Sequence, residues 1–413
     1  MLDIRFIREN PDQVQDHAAK KGYTVDIKEL LKHDESRRAF QQRVDSLRER
    51  RNELSSKLKA QPEQSVIDEV RGIKEELGEL ESRLNETETQ YNELLHSIPN
   101  MMQDDVPIGG EENSVEIKKW GEQNSGAIDH LDFAVKRDWV DFERGAKVAG
   151  AKFYYLKGDL ALLENAITQY ALEVLIKKNF IFMTVPAMVN SRIATGTGFA
   201  PRTSEQNDSY DIEGEDLTLV ATAEIPLTGY HADEILDESV LPLMYVGYSP
   251  SFRKEAGAYG KHTRGLFRVH QFNKLEMYAF TTPEQSVGVH EKILAIEEEI
   301  WQAIGIPYHV INIASRDLGA PASKKYDLEY WSPVDGIYRE LTSASNCTDF
   351  QARNLNIRVR RQDGSVEILH TLNGTAVSLA RSLVAIIEHY QNTDGTLRVP
   401  DVLKPYLGGR DTL

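Results

Sequence analysis

Cysteine is almost missing from this chain: Cys347 is the one thiol in 413 residues. No disulfide can close within the chain, and a cysteine-built zinc site is not expected. The opening stretch, MLDIRFIREN, carries acid and base too early for a signal peptide. Together these point to a cytoplasmic setting. No run approaches the roughly 18 apolar residues of a membrane-spanning helix, so no membrane role is expected. Positive charge is in deficit, with 48 Lys and Arg against 65 Asp and Glu, a net charge of -17. Such a field repels nucleic acid at long range, so any RNA contact has to come from a local basic surface. The usual nucleotide devices are missing too. GAYGKHT has the Gly-Lys of a P-loop, but Glu255 stands where its first glycine is needed and His262 where Ser or Thr is needed. No G-x-G-x-x-G follows a strand, and there is no repeat or low-complexity tract. What remains is globular in composition, 40% hydrophobic and 27% charged, and long enough for two or three domains.

The first hundred residues read as a projecting arm. Apolar residues fall at Leu30, Phe40, Val44, Leu47, Leu54 and Leu58, with His33, Arg37 and Arg51 completing steps of three and four. After Gln61-Pro62 the pattern resumes at Val66, Val70, Ile73, Leu77, Leu80, Leu84, Tyr91 and Leu94, with Thr87 in one gap. This is a heptad seam broken once, the pattern of an antiparallel two-helix coiled coil over about 27–97. Folding at Pro62 pairs Leu58 with Val66, Leu54 with Val70, Leu47 with Leu77, Val44 with Leu80, Phe40 with Leu84 and Leu30 with Leu94. The first helix is rich in arginine, including Arg43, Arg48 and Arg50, and the second is acidic. Those arginines either meet a phosphate backbone or match the acidic flank across the hairpin.

SIPNMMQDDVPIGGEENS then reads as an irregular connection, the linker extending over about 98–125, between an N-terminal domain (1–100) and a larger one (101–413). A helix is expected over Leu160–Phe180, another over Pro283–Gly305 and a last over Thr375–Tyr390. Strands are expected in FIFMTVPAM, LTLV, LMYVGYS, YHVINI, DLEYWSP, IYRELTS and VEILHTLN. Strands adjacent in sequence favour an antiparallel sheet, and helices before, within and after it give an α+β class.

The most informative stretch is SFRKEAGAYGKHTRGLFRVHQF, residues 251–272, a cation-rich hairpin in an acidic protein. Alternate residues of a strand share a face, so Arg253 aligns with Glu255, and Arg268 with His270 and Phe272. With the turn near Gly260, Arg253 is expected opposite Arg268. Two facing arginines without an acid between them suit a polyanion, Phe272 offers a flat face to a base, and Gly257, Gly260 and Gly265 free the turn to close on a ligand. Taken alone, Arg-x-Glu is an ordinary surface ion pair worth about 0.2–1 kcal/mol. Other polar residues gather at strand ends: Thr222 and Glu224 in ATAEIP, Glu276 in NKLEMY, Glu340, Thr342, Ser343 and Asn346 in YRELTSASN, and Asn373, Thr375 and Arg381 in LNGTAVSLARS. Glu340 with Ser343 offers oxygen ligands to a hard cation such as Mg2+. Blander readings make Thr375 a helix N-cap, pair Glu276 with Lys274, and leave Arg381 in solvent two turns into its helix.

These stretches together resemble the class II aminoacyl-tRNA synthetases. The hairpin looks like motif 2, FIFMTVPAM with Pro186 like motif 1, and LNGTAVSLARSLVAIIEHYQ like motif 3. With TAE, ELTSASNCTDFQAR and the helical arm, the whole chain closely resembles the bacterial-type seryl-tRNA synthetase family. HIGH and KMSKS, the signatures of class I enzymes, are absent.

The resemblance implies a serine–tRNA ligase with the class II sheet domain behind a tRNA-binding arm. ATP and Mg2+ are implied as cofactors, L-serine and tRNA(Ser), with tRNA(Sec) as a further acceptor, as substrates, and a homodimer as the assembly. Arg253 would hold the α-phosphate and the serine carboxylate, while Arg268 and Arg381 bind the outer phosphates of a bent ATP. Phe272 would stack under adenine with Arg381 over its other face. Lys254, Glu255, Val269, Leu341 and Thr342 complete the implied ATP site, and Glu340 and Ser343 ligate Mg2+. Thr222 and Glu276 would take the serine ammonium, and Glu276 with Thr375 its hydroxyl, beside Ala223, Glu224 and Asn373. Arg43, Arg48 and Arg50 would touch tRNA. Three positions depart from the family pattern: Ala376 and Ala380 replace glycines, and Thr342 replaces serine. An amino-acid:carrier-protein ligase would have little use for the arm. A non-catalytic RNA-binding paralogue would have lost the arginines or the serine-reading residues, and all are present.

Overall fold

The computed structural model describes residues 1–60, 63–198, 208–255 and 264–413, the side chains of 58–60 excepted. They fall into two compact units, Met1–Met101 and Met102–Leu413.

The first unit is helical: α1 (Ile4–Glu9), α2 (Pro11–Lys20), α3 (Ile27–Ala60) and α4 (Gln64–Ser97). The last two have 34 residues each, about 50 Å of helix apiece. They pack along one apolar seam of Phe40, Val44, Leu47 and Leu54 against Val66, Val70, Ile73, Leu77, Leu80 and Leu84. These are the heptad positions, so the periodicity identifies the buried stripe. Pro62 and the side chain of Leu58, the inner end of the expected register, lie outside the described residues. At the polar seam position Arg37 the guanidinium stacks 4.7 Å from the Tyr91 ring, and Arg83, flanking the seam, lies 4.7 Å from the Phe40 ring. Near the start of α3, buried Asp34 accepts from Arg8 at 2.7 Å and pairs with Arg38 and Arg37.

The second unit is built on an eight-stranded sheet: β1 (Val115–Trp120), β2 (Ile181–Thr184), β3 (Leu243–Phe252), β4 (Gln271–Thr281), β5 (Tyr308–Asn312), β6 (Lys324–Ser332), β7 (Ile337–Thr348) and β8 (His370–Ser378). Their order across the sheet is β1-β5-β6-β7-β8-β4-β3-β2. Every neighbouring pair is antiparallel except β2 with β3, which is parallel. Four helices pack around the sheet near the site: α5 (His130–Lys136), α6 (Gly158–Lys177), α7 (Ser286–Ile304) and α8 (Leu379–Tyr390). Leu163 and Ile167 of α6, Ile300 and Trp301 of α7, and Val384 and Ile387 of α8 share one core with Met277 and Leu328 of the sheet.

Three expectations are corrected. The segment read as a linker to about residue 125 contains β1, which extends the sheet by pairing with β5. Its residues are all exposed, so Glu116, Lys118 and Lys119 mask the strand signal. The last helix does not begin at Thr375. β-Branched Thr371, Thr375 and Val377 extend β8 to Ser378, the helix starts at Leu379, and Arg381 lies in its first turn. Finally, VEILHTLN is two strands: Val366–Ile368 joins a small three-stranded sheet, and β8 begins at His370.

Candidate active site

Two bulges build the cleft. Residues an odd number apart on a regular strand face opposite ways. On β7, Thr342 pairs with Leu328 and Glu340 with Glu329, so Leu341 is an extra residue. On β8, Thr375 pairs with Glu276 and Val377 with Leu275, so Ala376 is extra. Each bulge resets the alternation. Glu340 and Ser343, three apart, therefore line the same cleft, as do Thr375 and Ser378. The cleft is completed by Arg253, Glu255, Val269, Phe272, Lys274, Leu341 and Arg381, with Phe267 and Ala380.

The hairpin's register differs from expectation. Phe252 pairs with Gln271, and the Arg253 N–H donates to the His270 carbonyl at 3.0 Å, so Arg253 faces His270 and not Arg268. The returning strand starts only at Gln271, because a 3-10 turn, Gly265–Phe267, intervenes with Gly265 at φ +66. Arg268 does not line the cleft; it forms an ion pair with Glu255, which does. Gly257, Gly260 and Lys261 lie outside the described residues. The Arg253 guanidinium stands 5.3 Å from the Phe272 ring, and that of Arg381 stands 5.2 Å from Phe267. Phe272 is thus faced by Arg253, not Arg381. Lys254 turns away, its ammonium 5.6 Å from the Tyr210 ring.

Beside the arginines lies a buried polar nest. Glu276, 1% exposed, pairs with the Lys274 ammonium at 2.5 Å and accepts from the Thr375 hydroxyl at 3.3 Å. Lys274 also donates to Thr222 at 3.3 Å. Glu224 accepts at one oxygen from Gln351 (2.7 Å) and Asn373 (2.9 Å). Burial, then the charge of Glu276, pushes the Glu224 carboxyl up to about 7. Ala223, its neighbour in sequence, is fully buried. Glu340 goes the other way: burial raises it, but Arg381, 3.0 Å away, with Lys325 and Arg253, outweighs burial and brings it down to about 2. Glu340 is thus an ionised carboxylate on the cleft that Ser343 also lines. Thr342 does not reach the cleft. Its hydroxyl donates at 2.7 Å to Glu297, whose carboxyl burial holds well above the usual range.

A cationic, aromatic-floored cleft next to a buried carboxylate pair suits a polyphosphate beside a small ammonium-bearing substrate. Comparison with known proteins agrees. Residues 1–102 match the Seryl-tRNA synthetase N-terminal domain, and residues 206–390 match the tRNA synthetase class II core domain (G, H, P, S and T). The chain is 45% identical to a serine--tRNA ligase of Dictyoglomus turgidum over 99% of its own length and 98% of the relative's. The chain belongs to the seryl-tRNA synthetase family. The Treponema denticola serine--tRNA ligase is 42% identical over 99% of both chains. The seryl-tRNA synthetase of Pyrococcus horikoshii, solved in complex with ATP, superposes with a TM-score of 0.89 at 40% identity, covering 100% of this chain and 99% of that one. The cytoplasmic serine-tRNA ligase of Naegleria fowleri, in complex with AMP, gives 0.84 at 32% identity, covering 100% and 98%.

Within this synthetase fold the arm arginines are occupied. Arg43 pairs with Glu76 at 2.7 Å, Arg48 with Glu81 at 2.9 Å and Arg50 with Glu69 at 2.9 Å. Sequence reasoning missed Phe267, Lys274 and Ser378 as lining residues. Ser378 sits opposite Lys274 only once the bulge is known, and Phe267 belongs to a turn that reads as strand.

Proposed function

We propose that the cleft activates L-serine with ATP and that the chain then transfers the seryl group to tRNA(Ser), and to tRNA(Sec) as a second acceptor. The observation that carries this is the convergence of Arg253, Glu340, Thr375 and Arg381 on one cleft beside buried Glu276. The serine carboxylate attacks the α-phosphorus of ATP in line and pyrophosphate leaves. The terminal ribose hydroxyl of tRNA then attacks the carbonyl of seryl-adenylate and AMP leaves. Arg253 steadies the α-phosphate and the carboxylate, and Arg381 neutralises the outer phosphates, joined by Arg268 once it exchanges Glu255 for a phosphate. Catalysis here is positioning and charge neutralisation. Phe272 carries the adenine, which takes the place of the Arg253 guanidinium on that ring. The serine ammonium takes the place of Lys274 against Thr222 and Glu276, and the serine hydroxyl meets Glu276 and Thr375. Ionised Glu340 and the Ser343 hydroxyl are hard oxygen donors on one wall, and they fit Mg2+, which would offset phosphate charge there.

We assign the arm to tRNA binding, with Arg43, Arg48 and Arg50 exchanging glutamates for phosphates. The protein acts in the cytoplasm as a homodimer. The dimer reading draws on exposed Ile181 and Phe182 (53% and 41%) on β2, the strand at one edge of the sheet. Among the described residues, no helix is long and apolar enough to cross a membrane.

ATP–pyrophosphate exchange with a panel of amino acids, followed by charging of purified tRNA(Ser), tests the proposal. Serine alone should drive exchange and tRNA(Ser) should be acylated. No exchange with serine would overturn the proposal, and exchange without charging would favour a carrier-protein ligase.

A further inference from the structure

α5 and its N-cap lie between the two segments that match family models, 1–102 and 206–390. They nevertheless hold the leg of the hairpin that leads into the cleft. His130 is 2% exposed, and the Leu266 backbone N–H donates to its Nε2 at 3.3 Å. That bond requires a lone pair on Nε2, which puts the ring proton on Nδ1, facing Glu388 Oε1 at 3.3 Å. Glu388 is also 2% exposed and is itself fixed: Ser332 (2.9 Å) and Tyr330 (3.3 Å) donate hydroxyl protons to its other oxygen. Gly265 is pressed against the same ring. A Cβ there would stand 2.4 Å from His130 Nε2, and its φ of +66 suits glycine. One residue earlier, Arg264 donates to Asp132 at 2.6 Å and lies 3.8 Å from Asp129, the N-cap of α5.

Three consecutive residues, 264–266, are therefore tied to the start of α5. The next three deliver the site: Phe267 lies under Arg381, Arg268 pairs with Glu255, and Val269 lines the cleft. No residue of α5 is among those lining the cleft, so its influence runs through the turn.

We propose that His130, braced by Glu388, is a positioning residue for ATP, setting the height at which Phe267 and Val269 line the cleft and Arg268 meets Glu255. This rests on the ATP-binding reading of the cleft. The side chain acts on nucleotide geometry and not on serine, because the residues that meet the serine ammonium and hydroxyl belong to β4, β8 and the segment 222–224, and neither they nor Arg253, which meets the carboxylate, contacts His130 in these bonds.

Steady-state ATP–pyrophosphate exchange with the full chain, varying ATP and serine separately, tests it. His130→Asn keeps a donor toward Glu388 but loses the acceptor for Leu266; it should raise the KM for ATP about threefold to tenfold while the KM for serine stays within about twofold. His130→Gln returns an acceptor near the Nε2 position and should stay within about twofold of wild type for both substrates. Asp132→Ala, on an exposed side chain, should raise the KM for ATP by about twofold to threefold, and it decides the matter if the asparagine variant does not fold. An unchanged KM for ATP in Asp132→Ala and His130→Asn, or equal rises for ATP and serine, overturns the positioning role. Wild-type protein without serine-dependent exchange instead overturns the ligase reading on which it rests.

Discussion

Replacing Thr375 by Val asks whether the buried nest reads a hydroxyl. Thr375 is 3% exposed on β8, and valine keeps its volume and β-branching, so the strand and its bulge persist. What disappears is one hydroxyl that donates to Glu276 at 3.3 Å. In the proposed complex that hydroxyl meets the serine hydroxyl, and a hydrogen bond between neutral groups contributes about 0.5–1.5 kcal/mol, the upper end applying in a buried site. A loss of about 1.5 kcal/mol is about tenfold in kcat/KM for serine. Alanine has no hydroxyl to lose, so its own kcat/KM should hold, and serine-over-alanine discrimination should fall by the same factor of about ten. The assay is ATP–pyrophosphate exchange at several concentrations of each amino acid, with a melting curve to show that the fold is intact. Serine kinetics within about twofold of wild type would refute the assignment. An equal loss for both amino acids would show that the substitution disturbs the site as a whole.

Three further outcomes are expected from the same structure. Alanine at Arg43, Arg48 and Arg50 together should weaken tRNA binding and flatten its salt dependence by roughly one slope unit per lost phosphate contact, with serine activation intact; unaltered affinity would leave those side chains as partners of Glu76, Glu81 and Glu69 alone. Glu224 has a folded value near 7 against an ordinary 4.5, so its contribution to stability is intact below about pH 4.5 and is lost as pH climbs through about 7, by about 3 kcal/mol in all. Urea unfolding from pH 4.5 to 8 should show that slope, and Glu224→Gln should remove it; identical profiles would refute it. Asp at both Ile181 and Phe182 should turn a dimer into monomers in sedimentation velocity, and a wild-type chain already monomeric would sink the dimer.

How far the sequence reached depends on the range of the interaction. The coiled coil was legible because its signal is local and periodic: each heptad residue from Phe40 to Leu84 reports the same buried stripe. The cleft's inventory was legible because cations in an acidic chain are conspicuous. Its geometry was not. The bulges at Leu341 and Ala376 are properties of two strands at once, and nothing in either strand alone announces them. The 3-10 turn at Gly265 consumes residues that alternate like a strand, which moved Arg253 from Arg268 to His270. Thr375 has the chemistry of a helix cap, and only its pairing with Glu276 on β4 makes it strand. β1 hides behind its own charges at the sheet edge. The His130–Glu388 brace joins residues 258 apart and has no sequence signature.

The proposed ligase chemistry requires Arg253 and Arg381, which line one cleft, to grip one nucleotide. Serine-dependent pyrophosphate exchange in Arg253→Ala and Arg381→Ala, each with unchanged tRNA binding, tests that most directly. Both should fall at least about a hundredfold, the scale expected when a transition-state charge contact is lost. Exchange within about twofold of wild type in either variant would contradict it.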